Sequence, residues 1–89
     1  YMVEAMAAAG VAAGLKPDLA MQLARATVTG AGELLHQSPL DAATLRQIVT
    51  SPNGTTFAAL QVLMAKDGLE PLMTAAVAAA TKRSRELAQ

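Results

Sequence analysis

The sequence has no cysteine and no tryptophan, and its only aromatic residues are Tyr1 and Phe57. Without cysteine there is no disulfide, and nothing points to an oxidising compartment. His36 is the sole histidine, so a structural zinc site would have too few ligands. Two aromatic rings give no platform on which nucleic-acid bases could stack. Seven basic and seven acidic residues cancel, so the basic stripe of a nucleic-acid partner is missing as well. Charge of either sign is scarce: 16% of residues carry it, against roughly 25–35% on an ordinary soluble surface. That shortage implies that much of the surface faces protein. A long hydrophobic run is also lacking. The longest charge-free stretch lies between Arg46 and Lys66 and is broken by Ser51, Pro52, Asn53 and Gly54. Neither half approaches the roughly 20 apolar residues of a membrane-spanning helix. The first residues lack the basic region of a secretory leader. The expectation is a cytoplasmic protein with no membrane and no nucleic-acid partner. A first residue of Tyr rather than Met suggests a fragment or a trimmed product.

What is present is helix-forming and apolar. The chain has 89 residues, 53% of them hydrophobic, enough for one domain over residues 1–89. A chain of this size buries only about 60–65% of its unfolded surface. Its core is therefore marginal, and small domains of this kind use staples or a partner. With disulfides and zinc excluded, a partner chain remains.

Ala, Leu, Met, Gln, Glu, Arg and Lys dominate, and no stretch alternates with a period of two. Five helices are expected. The first runs from about Tyr1 to Ala13 with Gly14 as its terminator, its apolar face being Met2, Met6, Ala9 and Ala13. The second starts at Lys16-Pro17-Asp18, where Pro suits the first turn, and ends near Gln37 before Ser38-Pro39. Its stripe reads Leu19, Leu23, Thr27, Gly30 and Leu34. Gly30 and Gly32 each cost about 1 kcal/mol against Ala, which suggests that another helix crosses closely there. The third spans about Asp41 to Val49. The fourth begins within Asn53–Thr56 and runs to about Ala65. The fifth follows Asp67-Gly68, with Asp67 and Glu70 spaced as a capping box and Pro71 in the first turn. Its stripe is Leu69, Leu72, Met73, Ala76, Val77 and Ala80, and Lys82, Arg83 and Arg85 complement its C-terminus. The first, fourth and fifth helices lack a clearly polar face, which favours an intertwined dimer over a free monomer.

The chemically informative segment is Val49-Thr50-Ser51-Pro52-Asn53-Gly54-Thr55-Thr56. It links two helices and ends in the first turn of the second. A helix start leaves backbone N–H groups unpaired, and these attract anions. Gly54 admits a ligand close to the backbone, Pro52 fixes φ, and the threonine hydroxyls can donate or accept. The same residues also make an ordinary helix cap, so the spacing alone leaves both readings open.

The run Leu45-Arg46-Gln47-Ile48-Val49-Thr50-Ser51-Pro52-Asn53-Gly54-Thr55-Thr56 resembles the signature of the pyrroline-5-carboxylate reductase family. That pattern closes on Ser-Pro-Gly-Gly-Thr-Thr. Glu4-Ala5-Met6 with Gly10-Val11, Gly14-Leu15 with Ala20 and Ala24, and Gly68-Leu69 through Leu87 resemble other parts of the family's C-terminal domain. The resemblance covers essentially the whole chain. It implies an all-α five-helix bundle, like the C-terminal domain of 6-phosphogluconate dehydrogenase, interlocked in a homodimer that can assemble into rings. It also implies an enzyme whose separate Rossmann domain binds NADPH or NADH and which reduces 1-pyrroline-5-carboxylate to L-proline, the last step of proline biosynthesis. Carried over residue by residue, the amides of Gly54, Thr55 and Thr56 and the side chain of Ser51 would hold the substrate carboxylate. The Thr56 hydroxyl would bond the ring nitrogen, which makes Thr56 the catalytic candidate, and Val49 would line the pocket. Asn53 departs from the pattern by replacing the first Gly of the pair, and its side chain could cap the fourth helix instead. The chain has no Gly-x-Gly-x-x-Gly turn, so by itself it is expected to bind no cofactor and to be catalytically inert.

The other candidates read as structural. His36 suits an exposed helix end. Met2, Met6, Met21, Met64 and Met73 read as core filler. Lys82, Arg83 and Arg85 read as a solvated helix end. Glu33 and Glu70 make no carboxylate pair. Two other functions compete: a stand-alone helical interaction module without ligand, and the C-terminal domain of another hydroxyacid- or imine-reducing dehydrogenase.

Overall fold

A computed structural model describes all residues, Tyr1–Gln89. It is all helical: α1 (Met2–Ala12), α2 (Pro17–Gln37), α3 (Ala42–Ile48), α4 (Thr55–Leu63) and α5 (Leu69–Leu87). The five expected helices are present and no strand interrupts them. No helix is long and apolar enough to cross a membrane. The chain divides into two compact units, Tyr1–Thr44 and Leu45–Gln89.

In the first unit α1 packs on α2. The end of α1 is set by Gly14, whose φ is +110°. The Gly14 N–H donates to the Val11 carbonyl and the Leu15 N–H to the Gly10 carbonyl. Both bonds together form the Schellman closure that a left-handed glycine permits. Pro17 then opens α2 at its first position. The contact is made by small residues. Ala7, Ala20 and Ala24 are the only buried residues, with Val3, Met6 and Met21 packed around them. A side chain at Gly10 would press on Ala20 Cβ at 3.2 Å, so the two backbones approach closely.

This face differs from the expected one. Ala9 and Ala13 of the expected α1 stripe are exposed, as is Met2. Leu19, Leu23 and Leu34 of the α2 stripe are also exposed. Short alanines let the helices come together, so the alanine face packs inside the chain and the leucine face is left over. A Cβ built at Gly30 or Gly32 would meet nothing within 4 Å outside its own helix, so α1 does not make the close crossing expected there. Of the five methionines, Met6 and Met21 pack as filler, whereas Met2, Met64 and Met73 are exposed.

The start of α3 is capped by Asp41, whose Oδ1 accepts the Thr44 N–H at 2.9 Å. Hydrogen bonds from Thr44 hold the Asp41 carboxyl below the usual carboxylate range. In the second unit no residue is buried. Helix α5 begins after Gly68 without a side-chain cap, so the capping box expected from Asp67 and Glu70 does not form. The N–H of Gly68 donates instead to the Ala65 carbonyl, which closes the turn by backbone alone. Along α5 the large apolar residues stand in solvent: Leu69 is 49% exposed, Leu72 68%, Met73 54% and Val77 60%. The cationic end carries an ion pair between Arg83 and Glu86 at 3.1 Å, both well exposed, as expected of a solvated helix end. Between α4 and α5 lies an open groove of about 990 Å³, lined among others by Leu60, Leu63, Met64, Leu69, Met73 and Ala78.

Candidate functional site

The segment from Val49 to Thr56 lies within the second unit and leads from α3 into α4. Its start is tied down by Thr50. The Thr50 hydroxyl donates to the Arg46 carbonyl, and the Thr50 N–H donates to the Gln47 carbonyl at 3.1 Å. The chain then turns sharply. The Gly54 N–H donates to the Ser51 carbonyl at 3.0 Å, closing a four-residue turn with Pro52 and Asn53 in the middle. Proline at the first central position and positive φ at the second are the pattern of a type II turn. Asn53 has φ +62°. After glycine, asparagine is the residue that best tolerates this region. Asn53, where the resembling pattern has glycine, therefore still allows the turn. Asn53 does not cap α4, which has Gly54 as its N-cap and no side-chain cap bond.

Gly54 is held by crowding rather than by positive φ. Its backbone is extended, with φ −83° and ψ −177°. A Cβ there would sit 3.2 Å from the Ser51 carbonyl oxygen and 3.3 Å from Ser51 Cβ. The turn thus folds Ser51 back over the entry to α4.

Beyond Gly54 the donors are free. Ala58 is the first residue whose N–H bonds back, to the Gly54 carbonyl. The N–H groups of Thr55, Thr56 and Phe57 have no acceptor in the chain. The hydroxyls are free too. Thr27, Thr50, Thr74 and Thr81 each donate to the carbonyl four residues back, but Ser51, Thr55 and Thr56 make no such bond. Free amides and free hydroxyls therefore converge on the positive end of the α4 dipole. Such a set can hold a carboxylate and still offer a hydroxyl to a neighbouring polar atom.

Of the residues picked from sequence, Ser51, Asn53, Gly54, Thr55 and Thr56 come together at this corner. Thr56 and Gly54 are half-buried and the others exposed. Val49 precedes the turn and is 62% exposed, so within one chain it forms no pocket wall. The Phe57 amide was not anticipated. Its freedom follows from the helix register, which fixes α4 to start at Thr55 and leaves the first three amides unpaired.

Comparison with known proteins places the chain. Residues 1–87 match the family model described as pyrroline-5-carboxylate reductase dimerisation. The chain belongs to that family. Among curated relatives named pyrroline-5-carboxylate reductase, the protein of Pisum sativum is 48% identical over 96% of this chain. That of Arabidopsis thaliana is 47% identical over 98%, and that of Pseudomonas aeruginosa 42% identical over 99%. The chain covers 31% of the length of the two plant proteins and 32% of the bacterial one, so it spans about a third of the relatives it matches. The family is described by dimerisation, and the leucine face of α2 and the apolar face of α5 are left uncovered within this chain.

Proposed function

We propose that this chain is the subunit-joining and substrate-gripping part of an NAD(P)H-dependent reductase that converts 1-pyrroline-5-carboxylate to L-proline. The enzyme works in the cytoplasm as a homodimer that can build into rings. The observation that carries the substrate half is the set of three unpaired amides at the start of α4, flanked by the free hydroxyls of Ser51 and Thr56. In this reading the amides of Thr55 and Thr56, with Ser51, hold the substrate carboxylate. The corner's geometry adds the Phe57 amide to that set. The Gly54 N–H is already engaged by Ser51, so Gly54 serves by its lack of a side chain and by shaping the turn. The Thr56 hydroxyl hydrogen-bonds the ring nitrogen, and Val49 lines the pocket once a second copy covers it.

These residues do not fit the nicotinamide cofactor. The five helices contain no strand leading into a glycine-rich turn of the kind that cradles a pyrophosphate, so the reading assigns the cofactor to a separate domain. This chain supplies orientation: a ring fixed at its carboxylate presents one face and one carbon in a reproducible position, which lowers the barrier of a transfer step. A hydrogen bond at nitrogen draws electrons from the C=N bond and makes its carbon a better acceptor.

The assembly half rests on the exposed stripe Leu69, Leu72, Met73 and Val77. Covering the exposed part of each such side chain stabilises by roughly 1–2 kcal/mol, so a second copy on α5 and its groove contributes several. Titration with L-proline tests the substrate half. The amide resonances of Thr55, Thr56 and Phe57 should shift on addition, with saturation. Resonances that stay unmoved in a dimeric sample, with the nucleotide-binding domain present, would favour a helical interaction module without ligand.

A further inference from the structure

We propose that Asn53 is a deamidation site whose product places a carboxylate in front of the free α4 amides and weakens the binding of an acid there. Asn53 is the only asparagine in the chain. It is exposed at the tip of a turn, its side chain makes no hydrogen bond, and its φ of +62° is outside the range most side chains prefer. The next residue is Gly54. Deamidation needs the following backbone nitrogen to reach the side-chain carbonyl carbon, and a glycine places no Cβ in the way. Asparagine is a thermolabile residue in any protein, and the Asn53-Gly54 pair removes the usual steric protection.

The step is balanced without any redox partner. The Gly54 nitrogen attacks Asn53 Cγ, the Cγ–Nδ2 bond breaks, and ammonia leaves with the amide proton. Water then opens the five-membered imide. Opening at Cγ restores the normal backbone as Asp; opening at the main-chain carbonyl gives isoaspartate, with an extra methylene in the chain. One bond opposes the step, the Gly54 N–H to the Ser51 carbonyl at 3.0 Å, and it must open first. It lies in an exposed turn, where local opening costs least, and opening also relieves the positive φ.

Either product carries a negative charge one residue before the N-cap of α4. A carboxylate there satisfies the positive end of the helix and repels a second carboxylate. Isoaspartate also lengthens the turn that folds Ser51 over the corner. The chemical conversion stands on the turn alone; its effect on ligand binding rests on the proposed function.

The test ages the full-length protein in mildly alkaline buffer and follows the Asn53 peptide by mass and by isoaspartate analysis, beside an Asn53→Gly variant and a synthetic Ser51–Phe57 peptide. The Asn53 peptide should gain the mass change of amide to acid, with isoaspartate the larger share. L-proline affinity should fall by about three- to tenfold in step with conversion, and Asn53→Gly should keep its own starting affinity throughout. No conversion in the protein, under conditions that convert the free peptide fully, would overturn the proposal. Full conversion with unchanged affinity would overturn its inhibitory half. Fresh protein that never binds L-proline would count against the functional reading alone, because conversion is read without any ligand.

Discussion

Thr56 and Gly54 contribute to one corner in different ways, and substitution separates them. Thr56→Ala removes a free hydroxyl and leaves the backbone alone. On the proposed function it should lower kcat of the full-length protein by about a hundredfold while light scattering shows the same assembly as the native protein; unchanged turnover would remove Thr56 from the chemistry. Gly54→Ala adds a Cβ at 3.2 Å from the Ser51 carbonyl oxygen. The turn must widen to admit it, so ligand affinity should fall and stability should drop by about 1 kcal/mol, read as a lowered urea midpoint. Asp41 gives a pH signature. Its carboxyl is held below the usual range by Thr44, so the folded form has the lower pKa. The stabilisation is therefore fully present above the ordinary aspartate pKa and is lost as pH falls through the lowered one. The Thr44 amide resonance should move in that acid window, and it should be insensitive to pH there in Asp41→Asn. A Thr44 amide that ignores acid in the native protein would mean that the cap is not formed in solution.

At the scale of the helix, the α4–α5 connection depends on one position. A Cβ at Gly68 would collide with the Leu63 carbonyl oxygen and stand 2.9 Å from that of Val62. Gly68→Ala must displace backbone, so helical content by circular dichroism should fall and thermal unfolding should begin earlier; an unchanged melting curve would contradict the tight turn. The helices themselves were legible in the sequence because Pro17, Gly14, Ser38-Pro39 and Gly68 punctuate a composition that otherwise forms helix everywhere. The turn before α4 was legible for the same reason, from Pro52, Asn53 and Gly54; a ligand site there was not, because the same residues serve an ordinary cap and only the family resemblance pointed to one. The facing of the helices was not. In an alanine-rich helix the apolar stripe does not distinguish a face that packs within the chain from one that waits for another. Here Ala20 and Ala24 took the inside, and Leu19, Leu23 and Leu34 stayed out. The Asp67–Glu70 capping box failed because Gly68 and its backbone bond to Ala65 already closed the turn.

For the whole molecule, the same facts describe a chain that cannot finish its own core. Three alanines are its only buried residues, and alanines bury little apolar area, far less than the leucines and methionines left outside. On the proposed reading self-association completes folding, and stability should rise with protein concentration. The measurement that tests this most directly is the molar mass by sedimentation, compared with Val77→Glu on the bare face of α5. The account predicts a dimer or a multiple of it for the native chain, and for Val77→Glu a smaller species with reduced helical content. A native chain that sediments as a stable, fully helical monomer at every concentration would contradict it.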